Sequence, residues 1–181
     1  MMFVAVPALA GCSFLPASLK VPPTVPTEIG APPATGQTIT GTGYSFVAPA
    51  GWSVPPDMAL PGVELFVGNL ADPDGFADNV VVGHFPSGRV TPDWIELHGV
   101  KELESIGAAD VEIRNRVMIA GSESAHLAAT VSIDGNENQM EQFYVSNDEQ
   151  TYIVTFSFSL TVAEPDRDYL AESVLKSWAW L

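Results

Sequence analysis

Apolar and polar residues alternate with strand and helix periods from Tyr44 onward, and before that point they do not. Residues 44–48, the turn Pro49-Ala50-Gly51 and residues 52–54 predict a first short strand pair, with residues 63–70 and 79–85 as the next two strands. Thr91-Pro92-Asp93 then supplies an N-cap, a first-turn proline and an early carboxylate. These open a helix that runs to about Ile106 and stops at Gly107. Ile95, Leu97, Val100, Leu103 and Ile106 form its apolar arc, with His98, Lys101 and Ser105 on the wet side.

A four-strand antiparallel meander follows. Val111, Ile113, Val117 and Ile119 alternate with Glu112, Arg114 and Arg116. Ala125, Leu127, Ala129, Val131 and Ile133 alternate with His126, Thr130 and Ser132. Ala120-Gly121-Ser122-Glu123 and Asp134-Gly135-Asn136 turn the chain, the second leading into residues 139–146. In residues 151–160 Tyr152, Val154, Phe156, Phe158 and Leu160 share one face, which marks the centre of the core. A closing helix from about Pro165 to Trp178, with Glu164 as a weak cap, carries Leu170, Ala171, Val174, Leu175 and Trp178 in one stripe and turns Glu172, Ser173 and Lys176 away.

Upstream, six prolines between Pro16 and Pro33 and six threonines between Thr24 and Thr42 deny residues 13–43 any hydrophobic period. That segment reads as a spacer that buries nothing. Ahead of it, an uncharged apolar start leads into Leu9-Ala10-Gly11-Cys12, the pattern of a bacterial lipoprotein signal cleaved between Gly11 and Cys12, with Cys12 lipidated. The apolar run is far shorter than the roughly 20 residues of a membrane-spanning helix. Such signals open with Lys or Arg and Met1-Met2-Phe3 has neither, so the expected start codon lies upstream. The division is therefore 1–11 signal peptide, 12–43 lipidated cysteine and linker, and 44–181 one globular domain. The expected location is the extracytoplasmic face of the cell membrane.

Charge narrows the partners. A net charge of −15, from 7 basic and 22 acidic residues, repels nucleic acid and anionic lipid surfaces. A lipid anchor, not electrostatics, would hold the protein at a membrane. The single cysteine excludes an internal disulfide and a cysteine-rich metal site.

The segment Tyr44-Ser45-Phe46-Val47-Ala48-Pro49-Ala50-Gly51-Trp52, the mid-chain helix, the meander through Tyr152-Ile153-Val154-Thr155-Phe156 and the closing helix with Ser177-Trp178 resemble the LpqN/LpqT-like actinobacterial lipoproteins. These in turn are similar to the wider Mog1/PsbP-like fold. The resemblance covers residues 40–181, with Cys12 matching the family's anchor. It implies an α+β fold, an antiparallel sheet of about six to seven strands flanked by helices in an α/β/α sandwich. It also implies a cell-envelope protein that binds or assists partners and has no established catalytic residues.

Candidate chemistry is sparse. His84, His98 and His126 lack the spacing that aims two imidazoles at one ion, so no metal is expected, nor any other cofactor. Asp72-Pro73-Asp74-Gly75, with Asp78 and Asn79, offers oxygens but not a calcium-loop spacing, and reads as a turn. Ser122 and Ser124 follow Gly121 between two strands, which is not the strand-to-helix setting of a nucleophile elbow. Gly41-Thr42-Gly43 leads into a strand, not a helix N-terminus, so it is no phosphate loop. Trp52, Trp94 and Trp180 are the candidate contact aromatics. The reading that follows is a non-catalytic envelope lipoprotein binding a partner protein or an apolar or glycolipid-like ligand. Its alternatives are a hydrolase with a site assembled from distant residues and a structural accessory protein.

Overall fold

The computed structural model describes residues 25–56, 62–72, 74–133 and 135–181. Gly11 and Cys12 lie outside the described residues, as do Pro73 and Asp134 of the two expected turns. The elements in order are β1 (Thr27–Glu28), β2 (Thr38–Thr40), β3 (Tyr44–Val47), β4 (Leu65–Gly68), β5 (Asn79–His84), α1 (Pro92–Ser105), β6 (Ala109–Ile113), β7 (Val117–Ile119), β8 (Ser122–Ser124), β9 (His126–Ile133), β10 (Asn136–Ser146), β11 (Thr151–Ser159), α2 (Glu164–Lys176) and β12 (Ala179–Trp180).

Six strands form the main sheet in the order β4-β5-β11-β10-β9-β6, with every neighbouring pair antiparallel. Strand alternation gives it two covered faces. On one, Val80, Val82, Phe143, Val154, Phe156 and Phe158 are buried against Ala171, Val174 and Leu175 of α2 and against β2 and β3 of the small sheet β12-β3-β2. On the other, Leu127, Ala129, Met140 and Tyr144 pack on Ile95 and Leu103 of α1. Gly99 permits that approach, since a Cβ there would lie 2.8 Å from Leu127 Cδ1. Thr91 caps α1 by accepting from the Trp94 N–H at 3.3 Å, and Gly107, at φ 91°, follows its end.

Several expectations need correction. Residues 27–43 are part of the domain, because Ile29, Ala31 and Ile39 are buried and the segment forms β1 and β2. Three isolated apolar residues among prolines show no period, yet their backbone is fastened to α2. Ala31 N–H donates to Glu172, Ala34 N–H donates to the Ser173 carbonyl, and Lys176 Nζ donates to the Ile29 carbonyl. The same cover buries Ser173, which the stripe of α2 places on the wet side. The cap of α2 is Ala163, with no side-chain bond, and not Glu164.

Residues 44–48 and 52–54 do not form a pair. β3 lies between β2 and β12, while Ser53 bridges to Gly68. The expected strand 111–119 divides at Arg114–Arg116. β6 joins the main sheet, whereas β7 lies between β8 and a parallel β1. On α1, Leu97 is 67% and Ile106 73% exposed, so the helix rests on a narrower stripe than its apolar arc. Leu160 lies beyond the end of β11 and is 52% exposed. His126, on the polar side of its strand pattern, is buried, because α2 covers that face too.

Candidate functional site

A cleft of about 190 Å³ opens between the main sheet and α2. Its floor is made by β9 and β10, where cross-strand register sets His126 opposite Phe143, and the two rings stack at 3.9 Å and 19°. Two residues before Phe143 on the same face stands Glu141, 1% exposed, whose Oε2 lies 2.8 Å from His126 Nε2. An ionised carboxylate only accepts, so His126 Nε2 donates in this bond. Only Nε2 of the His126 ring makes a hydrogen bond with a described residue.

The roof comes from α2, where Asp168 and Glu172 are four residues apart and line the cleft together. Arg167 beside them satisfies Glu141 from Nε at 3.4 Å and donates from Nη1 to the Val162 carbonyl at 3.0 Å. From the wall, Arg114 pairs with Glu164 through Nη1, with its Nη2 4.0 Å from Glu141 and its Nε 3.7 Å from Glu112. Both guanidiniums are thus committed to carboxylates. Asp168 forms no hydrogen bond or ion pair with any described residue, and burial, then the Glu141 charge, push its carboxyl above the ordinary range.

The arrangement holds an oriented imidazole and a carboxylate without a hydrogen-bond partner in one small cavity. Among the lining residues Thr27 carries the only hydroxyl, so it is built to bind a polar group more than to attack one. A volume below the roughly 300–1,000 Å³ of sites for drug-sized ligands suits a single side chain and not an acyl chain.

None of the aromatics singled out from sequence lies in this cleft. Trp52 is buried in the core. Trp94 is 41% exposed on α1, edge-on to Phe85 at 5.5 Å and beside His98. Trp180 is half-buried against Tyr152 at 5.7 Å. The three histidines are dispersed, with His84 2.8 Å from Glu64. Among the described residues no three His, Cys, Asp or Glu side chains are grouped to hold an ion. At the acidic turn, the Ser159 hydroxyl, the Phe76 N–H and the Thr161 hydroxyl hold the Asp74 carboxyl down to about 2. Those bonds tie the turn to the segment after β11. Glu141, beneath the cleft, stands among the polar Asn138, Gln139 and Gln142, so the sequence did not mark it as buried. Only the register of β9 against β10 reveals its histidine.

No protein-family model and no curated protein matches the chain, but solved structures do. Cyanobacterial PsbP (CyanoP) from Synechocystis is 19% identical, with a TM-score of 0.56 over 80% of this chain and 92% of that one. LpqN, involved in cell envelope biogenesis of Mycobacterium tuberculosis, is 12% identical, with a TM-score of 0.50 over 86% of this chain and 88% of that one. A protein of Bacteroides thetaiotaomicron is 16% identical at a TM-score of 0.53 over 81% of this chain. The chain spans about half of that protein's length, at 48%. At these identities the likeness is one of fold: the chain has an α+β, PsbP/LpqN-like fold built on a six-stranded antiparallel sheet.

Proposed function

We propose that the chain is a non-catalytic lipoprotein of the cell envelope, tethered through Cys12, whose domain binds a partner protein at the cleft under α2. The observation that carries this reading is the cleft itself, a side-chain-sized cavity lined by the part-exposed Asp168, which pairs with no described residue, and by Arg114, whose buried Nε meets no hydrogen-bond partner. Buried polar groups are ordinarily satisfied, so a cavity with a buried donor left open on its wall is poised for an incoming polar group. The likeness of fold to LpqN, a protein of envelope biogenesis, supports the location, as does the Leu9-Ala10-Gly11-Cys12 motif. No helix among the described residues is long and apolar enough to cross a membrane, so a tether at Cys12 would supply the attachment.

The test is photo-crosslinking in native envelope from a probe in place of Asn115 at the cleft mouth, with mass spectrometry of both proteins and lipids. Recovery of a specific protein supports the reading, recovery of a lipid replaces it with the glycolipid-like alternative, and recovery of neither favours the structural accessory. With a basic signal segment supplied upstream, Cys12→Ala moves the protein from the membrane to the soluble fraction, and unchanged fractionation removes the anchor. A hydrolase draws its support from the carboxylate-held imidazole. It would show as turnover of an ester, peptide or glycan that disappears in His126→Ala.

A further inference from the structure

We infer that the outward face of α1, carrying Trp94 and Leu97, rests on the bilayer surface and so turns the cleft under α2 away from the membrane, toward its partner. This deepens the proposed function and rests on its anchor at Cys12. Trp94, Leu97 and Lys101 stand at i, i+3 and i+7 along one ridge of the helix, all three exposed, with the His98 ring 4.5 Å from the Trp94 ring. Ile95, Gly99 and Leu103, on the opposite stripe, are buried against the main sheet. An indole, a leucine and a lysine with its long apolar stem are side chains that settle at the boundary between headgroups and acyl chains.

The occupant is named by the chain that leads to the anchor. Because residues 27–43 are fastened to the domain, residues 13–24 alone separate Cys12 from Val25, a length that spans at most about 45 Å when fully extended. That length ends beside the first turns of α1. The Thr27 N–H donates to the Arg116 carbonyl at 2.8 Å, and the Arg116 side chain reaches Asp93 and Glu96. Val25, two residues before that bond, is exposed. A contact of two or three side chains is too weak to recruit a free protein, but behind so short a tether it becomes effectively intramolecular. Charge selects the kind of surface. The net charge of −15, with Asp93, Glu102 and Glu104 exposed on α1 itself, repels anionic headgroups, so the surface fitted is a zwitterionic one. α1 and α2 cover opposite faces of the main sheet, so a domain lying on α1 holds its cleft outward, where a partner protein reaches it.

The test couples the full chain through Cys12, its single cysteine, to phosphatidylcholine vesicles that carry a maleimide headgroup lipid and acyl chains brominated near the ester, which quench tryptophan at short range. The expected result is quenching that disappears in Trp94→Phe, since Trp52 and Trp178 are buried in the core. Leu97→Glu should abolish the quenching and leave the thermal midpoint in place, because Leu97 is exposed. Phosphatidylglycerol in the vesicle should weaken it at low salt. No quenching, quenching that persists in Trp94→Phe, quenching indifferent to Leu97→Glu, or quenching that phosphatidylglycerol strengthens would overturn the inference. Because the coupling is chemical and the vesicles hold no protein, failure here is distinct from failure of the anchor, which Cys12→Ala fractionation reads. It is equally distinct from failure of the partner reading, which crosslinking from position 115 reads.

Discussion

Arg114 and Arg116 stand either side of Asn115, at the point where the chain leaves the main sheet, and they end in opposite circumstances. Arg116 reaches α1 and is saturated. Its Nε and Nη2 clasp both oxygens of Glu96 at 2.6 and 2.7 Å, Nη1 takes Glu123 at 3.1 Å, and Asp93 closes the set. Glu96 is buried, and the bidentate geometry leaves neither partner short of bonds. Arg114 turns toward α2, is shared among Glu164, Glu141 and Glu112, and keeps a buried Nε that lies 3.7 Å from Glu112 and makes no hydrogen bond, beside a cavity and an unpaired Asp168. A closed network stabilises a fold, whereas one that leaves groups open beside a void is available to a ligand.

The largest effect expected is from removing residues 1–43. That takes away β1, whose Thr27 N–H donates to the Arg116 carbonyl at 2.8 Å and so pins the segment carrying both arginines. It also strips Ile29 and Ile39 from the core, for a loss of at least about 4 kcal/mol in urea unfolding. Native-like stability of that truncation would restore the view of the segment as a bare spacer. Next comes Glu96→Ala, which strands Arg116 with only its more exposed partners. About 2–3 kcal/mol is expected, below the roughly 3–5 kcal/mol of a fully buried pair, and chemical denaturation measures it.

Glu141→Gln should cost about 1–2 kcal/mol, because Arg114 keeps Glu164 and Arg167 keeps the Val162 carbonyl. Smallest is Asp168→Asn, within about 0.5 kcal/mol of the parent and stabilising at neutral pH. The sign follows from the raised carboxyl. The native state holds that proton more tightly than the unfolded chain, so its contribution is fully present below the ordinary carboxylate range and is lost as pH rises through the raised value. The advantage of Asn should therefore shrink as pH falls, read from thermal unfolding across pH 3–8 (about the carboxylate range). A loss at Asp168 as large as that at Glu96 would erase the distinction between the two networks.

Much of the fold was legible because burial imposes periods. The alternation of Tyr152, Val154, Phe156 and Phe158 named the core face of β11, all four of them buried. Thr91 and Gly107 marked the ends of α1. What misled was cover arriving from elsewhere. Leu97 looks like core until the helix settles on a narrower stripe, and Ser173 looks wet until the proline-rich segment crosses it. The cleft as a whole was not legible, for its groups come from β1, the segment between β6 and β7, β7, β9, β10 and α2 and share no spacing in the chain.

The sequence by itself determined the local elements, the apolar faces and the acidic surface, since each depends on residue type and short-range period. Only the tertiary structure decided which polar residues would be buried together. That depended on strand register, which set His126 and Glu141 on the face that α2 covers, and on the segment before Tyr44 closing over the same helix. A covered polar face must satisfy its groups or hold them for something else, and no pattern along the chain encodes which of the two happens.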